Sequence, residues 1–396
     1  MKKKYINKFW IFILVILISA NFSCSPDNRN DGYANVKDFG AVGDGEHDDT
    51  QAIKKAIASL PQKGGTVLFP PGHYLTETIK GKNYLTFKGH SGWGYDSDSF
   101  GSTIISPTNG EFKTLFDLTG SGAVGVRIMG LTLDGQNKGE GMHGIYSKHP
   151  GTEQNIVFED CKIQRFSGAG IRLDNCWVFA IRRCLIKSNE GPGIDGTNSY
   201  DGWIIDNQIT ANGNAGIFAS TYFSMVSITA NRIEWNKKGG IVQASFSGQQ
   251  ITGNSFDRNF GPAISVVDTL RKASRSNTIT GNLFRRNGYQ QQNNQEYFCH
   301  ILLKNINGTT IVGNTFLGIS HGVDRERKRP PSPGYGMILK NLVDCVVSNN
   351  SLYHSALFQT IIDKGGHTNS IIENNPGSLR DKQEWAMELL KVDSYQ

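Results

Sequence analysis

Asp174 and Asp195 lie in two segments of the same shape, Gly170-Ile171-Arg172-Leu173-Asp174 and Gly193-Ile194-Asp195-Gly196-Thr197. Aligned as neighbouring strands with each Ile inward, they put Arg172 beside Asp195 on the outer face, with Asp174 one outward position further along. Spacings of about 4.8 Å between strands and about 6.7 Å along one separate the two carboxylates by roughly 8 Å. That leaves room for a water between an acid and a base flanking a glycosidic bond. Arg172 is then expected to hold Asp195 ionised, with Asp174 as the acid of raised pKa. Glu190 and Asp201 are the alternatives for the second carboxylate. A second chemistry uses the same residues: Lys148 or Arg172 removes the proton beside a uronic-acid carboxylate, and a cationic side chain or calcium neutralises the charge. Glycan binding without turnover is a third. Tyr146, Lys148, Phe218 and Ser220 occupy the matching outer positions of flanking segments, and His143 precedes the Tyr146 strand as a substrate contact. Trp203, Tyr222 and Phe223, with Trp93 and Tyr95 from a glycine-rich stretch, offer rings for stacking on sugars. The segments that follow offer Val242, Ala244, Ser265 and Val267 at these positions.

The elements that must hold these side chains are read from a repeat. Asn207, Asn231 and Asn254 recur every 23 or 24 residues, as do Asn189, Asn212, Asn236 and Asn259. The first column continues through Asn282, Asn314 and Asn350 and the second to Asn287; Cys161 and Cys184 begin the first as small buried fillers. The intervening runs are short and β-branched, without helical periodicity, so each repeat is one turn of a β-solenoid with stacked asparagines at its bends. A small residue followed by Ile marks one inward strand position, from Gly170-Ile171 through Gly193-Ile194, Gly216-Ile217, Gly240-Ile241 and Ala263-Ile264. His300-Ile301, Met337-Ile338 and Thr360-Ile361 are the looser equivalents beyond the insertions. Asp160, Arg183 and Asp206 form another stack, expected as a structural salt bridge between coils.

Residues 1–23 read as an export signal, with Lys2, Lys3, Lys4 and Lys8 before the apolar run Phe9 to Ala20. Cys24, followed by Ser25-Pro26-Asp27, suits a lipid-bearing first residue of the mature chain, and residues 24–35 a flexible linker. Cleavage by the ordinary signal peptidase is the rival expectation. With a lipid on Cys24 the chain is expected to be anchored to a membrane in a bacterial cell envelope, at the outer surface or in the periplasm, and without it to be secreted. Removing the signal lysines lowers the net charge from +6 to +2, too little to argue for nucleic acid. Cys161, Cys176, Cys184, Cys299 and Cys345 lack paired metal spacing, so no structural metal is expected. A Cys161 to Cys184 disulfide and a reduced pair both remain open. No cofactor is expected, except calcium if the chain is a lyase; a monomer and a polysaccharide or oligosaccharide substrate are expected.

Val36-Lys37-Asp38-Phe39-Gly40-Ala41-Val42-Gly43-Asp44-Gly45, then Asp48-Asp49-Thr50-Gln51-Ala52-Ile53, and Gly64-Gly65-Thr66-Val67-Leu68-Phe69-Pro70-Pro71-Gly72 resemble the opening of the pectate-lyase-like superfamily, in the branch with polygalacturonase-type glycosidases and phage tailspikes. The resemblance implies an all-β, single-stranded right-handed parallel β-helix with an N-terminal capping helix. Its domain is expected over 36–378, and 379–396 as a tail containing a short helix, Leu379 to Leu390. Polygalacturonase-type enzymes carry Gly-His-Gly and Arg-Ile-Lys motifs that this chain lacks, so acid and base roles do not transfer. The β-helical inulin fructotransferases are a further relative that no motif selects. Asp49 or Thr50 is expected to cap a helix running through Leu60, with Ile53, Ala56, Ile57 and Leu60 on one face to cover the open end of the solenoid. Asp44, Asp48 and Asp49 read as turn and cap residues rather than a calcium loop. Insertions at Gly288 to Phe298 and Gly318 to Gly336 are expected to form one wall of a groove, and the basic run 325–329 in the second reads either as a grip on acidic glycans or as a solvated loop without a partner.

Overall fold

The computed structural model describes residues 32–90, 103–120, 122–149, 153–270, 274–288, 296–317 and 333–379. Three parallel sheets run through the described residues, with 14, 13 and 11 strands, and each strand pairs with its counterpart one coil away. The first sheet runs from Tyr33–Asn35 to Ile371–Glu373, the second from Asp44–Asp48 to Gly377–Leu379, and the third from Ile79–Lys80 to Gln359–Asp363. Tyr33–Asn35 pairs with Thr66–Leu68, so the solenoid begins within the stretch expected as linker. The Leu379 end of the expected terminal helix is a strand; the rest of that segment, Cys24, Trp93, Tyr95 and the basic run lie outside the described residues.

The asparagine columns are hydrogen-bonded ladders. The Asn231 Oδ1 accepts the Asn207 backbone N–H at 3.0 Å and its Nδ2–H at 2.9 Å, while the Asn207 Nδ2 also donates to the Ile181 carbonyl at 2.8 Å. One amide thus satisfies the bend of its own coil and that of its neighbour, which is why the same residue type recurs. The second column repeats the pattern from Asn189 to Asn287. The first extends one coil further than expected, to Asn375. Cys161 and Cys184 are buried thiols at its head, and the Cys184 N–H donates to Asn207 Oδ1.

The small residue before each inward Ile has a steric cause. A Cβ on Gly193 would lie 2.8 Å from the Gly216 carbonyl oxygen and 2.9 Å from Asn212 Nδ2. The ladder runs Ile145, Ile171, Ile194, Ile217, Ile241, Ile264, Ile301, Met337 and Ile361. Gly336-Met337, rather than Met337-Ile338, is therefore the late equivalent. Both residues are buried, because Ile338 packs outside the sheet against Cys299 and Leu302 beneath Tyr297 and Tyr335. Apolar character on both faces hides strand parity in that coil.

At the N-terminal end the helix Thr50–Ser59 buries Ala52, Ile53 and Ala56, with Leu60 as its C-cap. Asp49 is the N-cap residue, one of the two expected, but its side chain makes no capping hydrogen bond. The Thr50 N–H donates to Asp48 Oδ1 at 2.9 Å, whereas the Asp49 carboxylate accepts the N–H groups of Val42 and Gly43 at 2.6 and 3.1 Å. Asp44 accepts from Glu46 and His47. These carboxylates thus serve turns. In the Asp160 stack, Arg183 pairs with Asp160 at 2.9 Å and with Glu159 rather than bridging to Asp206.

Candidate active site on the third sheet

Two rows of outward side chains cross consecutive strands of the third sheet. The first runs Lys80, Asp117, Tyr146, Arg172, Asp195 and Phe218. The second, two residues along each strand, includes Thr119, Lys148 and Asp174. Arg172 lies in register with Asp195, as the sequence suggested, because the inward Ile171 and Ile194 fix strand parity.

The electrostatics of Asp195 run against the expectation that Arg172 holds it ionised. Burial raises the Asp195 pKa, and neither the Thr197 hydroxyl, which donates to it at 2.7 Å, nor Arg172 restores the usual carboxylate value. Asp174 instead forms an ion pair with Lys148 at 3.1 Å. That partner raises the Lys148 pKa, which disfavours Lys148 as the proton acceptor expected from sequence. The Tyr146 pKa rises through burial and then through Asp174, which engages its hydroxyl. Arg172 lies over the Tyr146 ring at 5.5 Å, and its Nε is buried without a hydrogen-bond partner.

His143 opens the Tyr146 strand. Its Nδ1 accepts the Ala169 N–H at 2.9 Å, leaving the ring proton on Nε2, and burial followed by Arg172 lowers its pKa to about 4. Its ring is 5.9 Å from that of Tyr146. Neutral His143 thus keeps an Nε2–H donor and is not a cation at ordinary pH.

The remaining expected residues separate. Glu190 is exposed on the turn between the second and third sheets, its N–H bonded to the Phe166 carbonyl at 2.8 Å. Asp201 and Trp203 belong to the first-sheet strand Ser199–Ile205, beyond the opposite turn, and Trp203 pairs with Ala180 and Ser227 there. The structure therefore does not bring Asp201 or Trp203 onto the third-sheet rows. Tyr222 is exposed at that turn, between Thr221, which bonds Asn198, and Phe223, which pairs with Ser199. It is the extra residue that makes this coil 24 long, and Phe223 itself is buried.

Sequence reasoning missed Asp117, in register with Tyr146, because Phe116 replaces Ile in its coil. It also missed Trp177 and Tyr200, whose rings meet edge to face at 6.0 Å on the border near Asp174. Their matching register was the available signal. A cavity of about 510 Å³ lies beside the cap helix, lined by Ile53, Ile57, Phe112 and Lys80, at the N-terminal end of the same face. Among the described residues no group of three or more His, Cys, Asp or Glu side chains is placed to hold a metal ion.

The family described as "Right handed beta helix region" matches residues 143–316, which include both rows at Tyr146 to Asp195. Mannuronan C5-epimerase AlgE6 of Azotobacter vinelandii is 29% identical over 196 residues, 44% of this chain and 20% of the epimerase. Alginate lyase 7 of the same organism is 30% identical over 198 residues, 45% of this chain and 21% of the lyase. The matched regions thus span about a fifth of each relative's length. PfbA, a surface adhesin of Streptococcus pneumoniae, superposes with a TM-score of 0.61 at 16% identity, covering 87% of this chain and 92% of the adhesin. From its three stacked parallel sheets and these likenesses, the chain is a right-handed parallel β-helix protein.

Proposed function

We propose that this protein is an enzyme acting on a uronate-containing polysaccharide by removing the proton beside the carboxylate, with elimination or C5 epimerisation as the outcome. The observation that carries this reading is the row Tyr146, Arg172, Asp195, in which a cation is flanked by two titratable groups. Arg172 has its guanidinium over an aromatic face, in register with Asp195, an arrangement suited to a planar anion. A uronate carboxylate bound there presents its C5–H to Asp195 on one side and Tyr146 on the other. Asp195 takes the proton, and Arg172 stabilises the charge that moves onto the carboxylate. In elimination the C4–O4 bond then breaks and the departing oxygen takes a proton from Tyr146. In epimerisation Tyr146 returns a proton to C5 from the opposite face. Burial and Asp174 keep Tyr146 protonated for either step. The names of the epimerase and lyase relatives agree with this substrate class. Export, with attachment of Cys24 to a membrane, remains part of the proposal.

Glycosidic hydrolysis is the second reading, supported by two outward carboxylates whose environments differ, one buried and one ion-paired. Incubation with mannuronan, alginate and polygalacturonate in deuterated buffer separates the readings. Absorbance of unsaturated uronates, or deuterium at C5, is expected, with turnover falling roughly 100-fold or more in Arg172→Ala. New reducing ends without either signal would transfer the case to hydrolysis. Binding without any product would mark a glycan-binding protein.

A further inference from the structure

The outer face of the third sheet carries a second charged feature, remote from Arg172. Along the row that contains Lys148 and Asp174, later coils present Val267, then Lys304, then Lys340, all in register. Leu339 pairs with Asp363, which places Lys364 next to Lys340 in the following coil. Three lysines therefore stack at successive coil spacings of about 4.8 Å. Like charges in adjacent ladder positions repel, and a scaffold indifferent to them would intersperse neutral or acidic residues. Lys304 has one acidic neighbour, Glu296. Lys340 and Lys364 have no acidic partner within 4.0 Å among the described residues and are exposed. The Lys304 pKa is lowered, first by burial and then by Lys340 and Lys364, which reports the repulsion within the stack.

The floor between the ladder and the Tyr146 to Asp195 rows is uncharged, with Phe218, Val242 and Ser265 in one row. Five coil steps separate Asp174 from Lys304, about 24 Å along the solenoid axis. An acidic polymer laid along this face would meet cations at both ends of a neutral track.

We propose that Lys304, Lys340 and Lys364 form a second anchoring site for an acidic polysaccharide, engaging a distant stretch of the same polymer strand whose uronate sits on Arg172. The proposal rests on the uronate reading of that site and adds a requirement for polymer length. Short oligouronates reach Arg172 alone; longer ones also neutralise the ladder, and binding there is charge-assisted and sensitive to salt.

The test uses the mature chain and its Lys340→Glu/Lys364→Glu variant, whose changes are exposed; circular dichroism checks that the variant is folded. Affinity for polygalacturonate and alginate is measured against oligouronates too short to span the track, over a range of salt. Wild-type protein is expected to bind the polymers at least about 10-fold more tightly than the short oligomers, with the variant losing that preference and its salt dependence flattening. Polymer affinity and salt slope unchanged in the variant would overturn the ladder, whatever the protein does to uronates. Lysine-dependent polymer binding without any proton abstraction would uphold the ladder and remove the catalytic reading.

Discussion

Asp195 is the residue on which the two chemistries make opposite demands. Its pKa is raised by burial above the usual carboxylate range. If Asp195 removes the C5 proton it must be ionised, so activity rises with pH through this elevated pKa and is lost below it. If it protonates a glycosidic oxygen it must carry a proton, and activity is lost as pH rises through the same value. A pH profile of kcat/KM on a polyuronate is expected to show the first sign. Asp195→Asn is expected to reduce kcat about 10²- to 10⁴-fold and to remove that limb. A profile falling with rising pH in the acid range, abolished by the same substitution, would refute the assignment. The chemistry of this pair was partly visible in the sequence, since the Gly-Ile landmarks set parity and adjacency. Which carboxylate is raised was not, because burial of Asp195 and the reach of Lys148 toward Asp174 depend on side-chain packing.

Coils are the elements of this molecule, and each depends on its neighbours through the asparagine columns. Asn231 accepts two hydrogen bonds from Asn207, and its own amide donates to Asn254 at 3.0 Å and to the Ile204 carbonyl at 2.7 Å. Asn231→Ala would leave buried polar groups of two coils unpaired. The expected loss is about 1–3 kcal/mol for each group orphaned, read by denaturant unfolding. Amide exchange at Asn207 should accelerate more than at Asn282, two coils beyond the substitution. Equal protection at both positions in variant and wild type would show that the ladder contributes little. The late parity error belongs to this scale as well. Met337 and Ile338 are both apolar and both buried, and only the pairing of Met337 with Ile301 tells which faces the core.

Over the whole molecule, the stacked coils form a nearly linear system in which stability is set by neighbour contacts and by the covered end. Ile53 is 1% exposed beneath the cap helix. Ile53→Ala is expected to cost about 2–5 kcal/mol, with hydrogen exchange accelerating first in the coils nearest the cap while those around Asn236 stay protected. Uniform loss of protection would instead mean that the coils unfold as one cooperative unit. The sequence by itself determined the solenoid, its coil length, its asparagine bends and the register from Ile171 to Ile264, because period, small-residue landmarks and hydrogen-bonding chemistry are local and repeat. Tertiary structure alone decided that Asp117 joins Tyr146, that Trp203 and Asp201 turn onto another sheet, and that three lysines stack at the far end. Those placements depend on how many residues each bend holds, and a single extra residue such as Tyr222 shifts the sequence spacing without disturbing the stack.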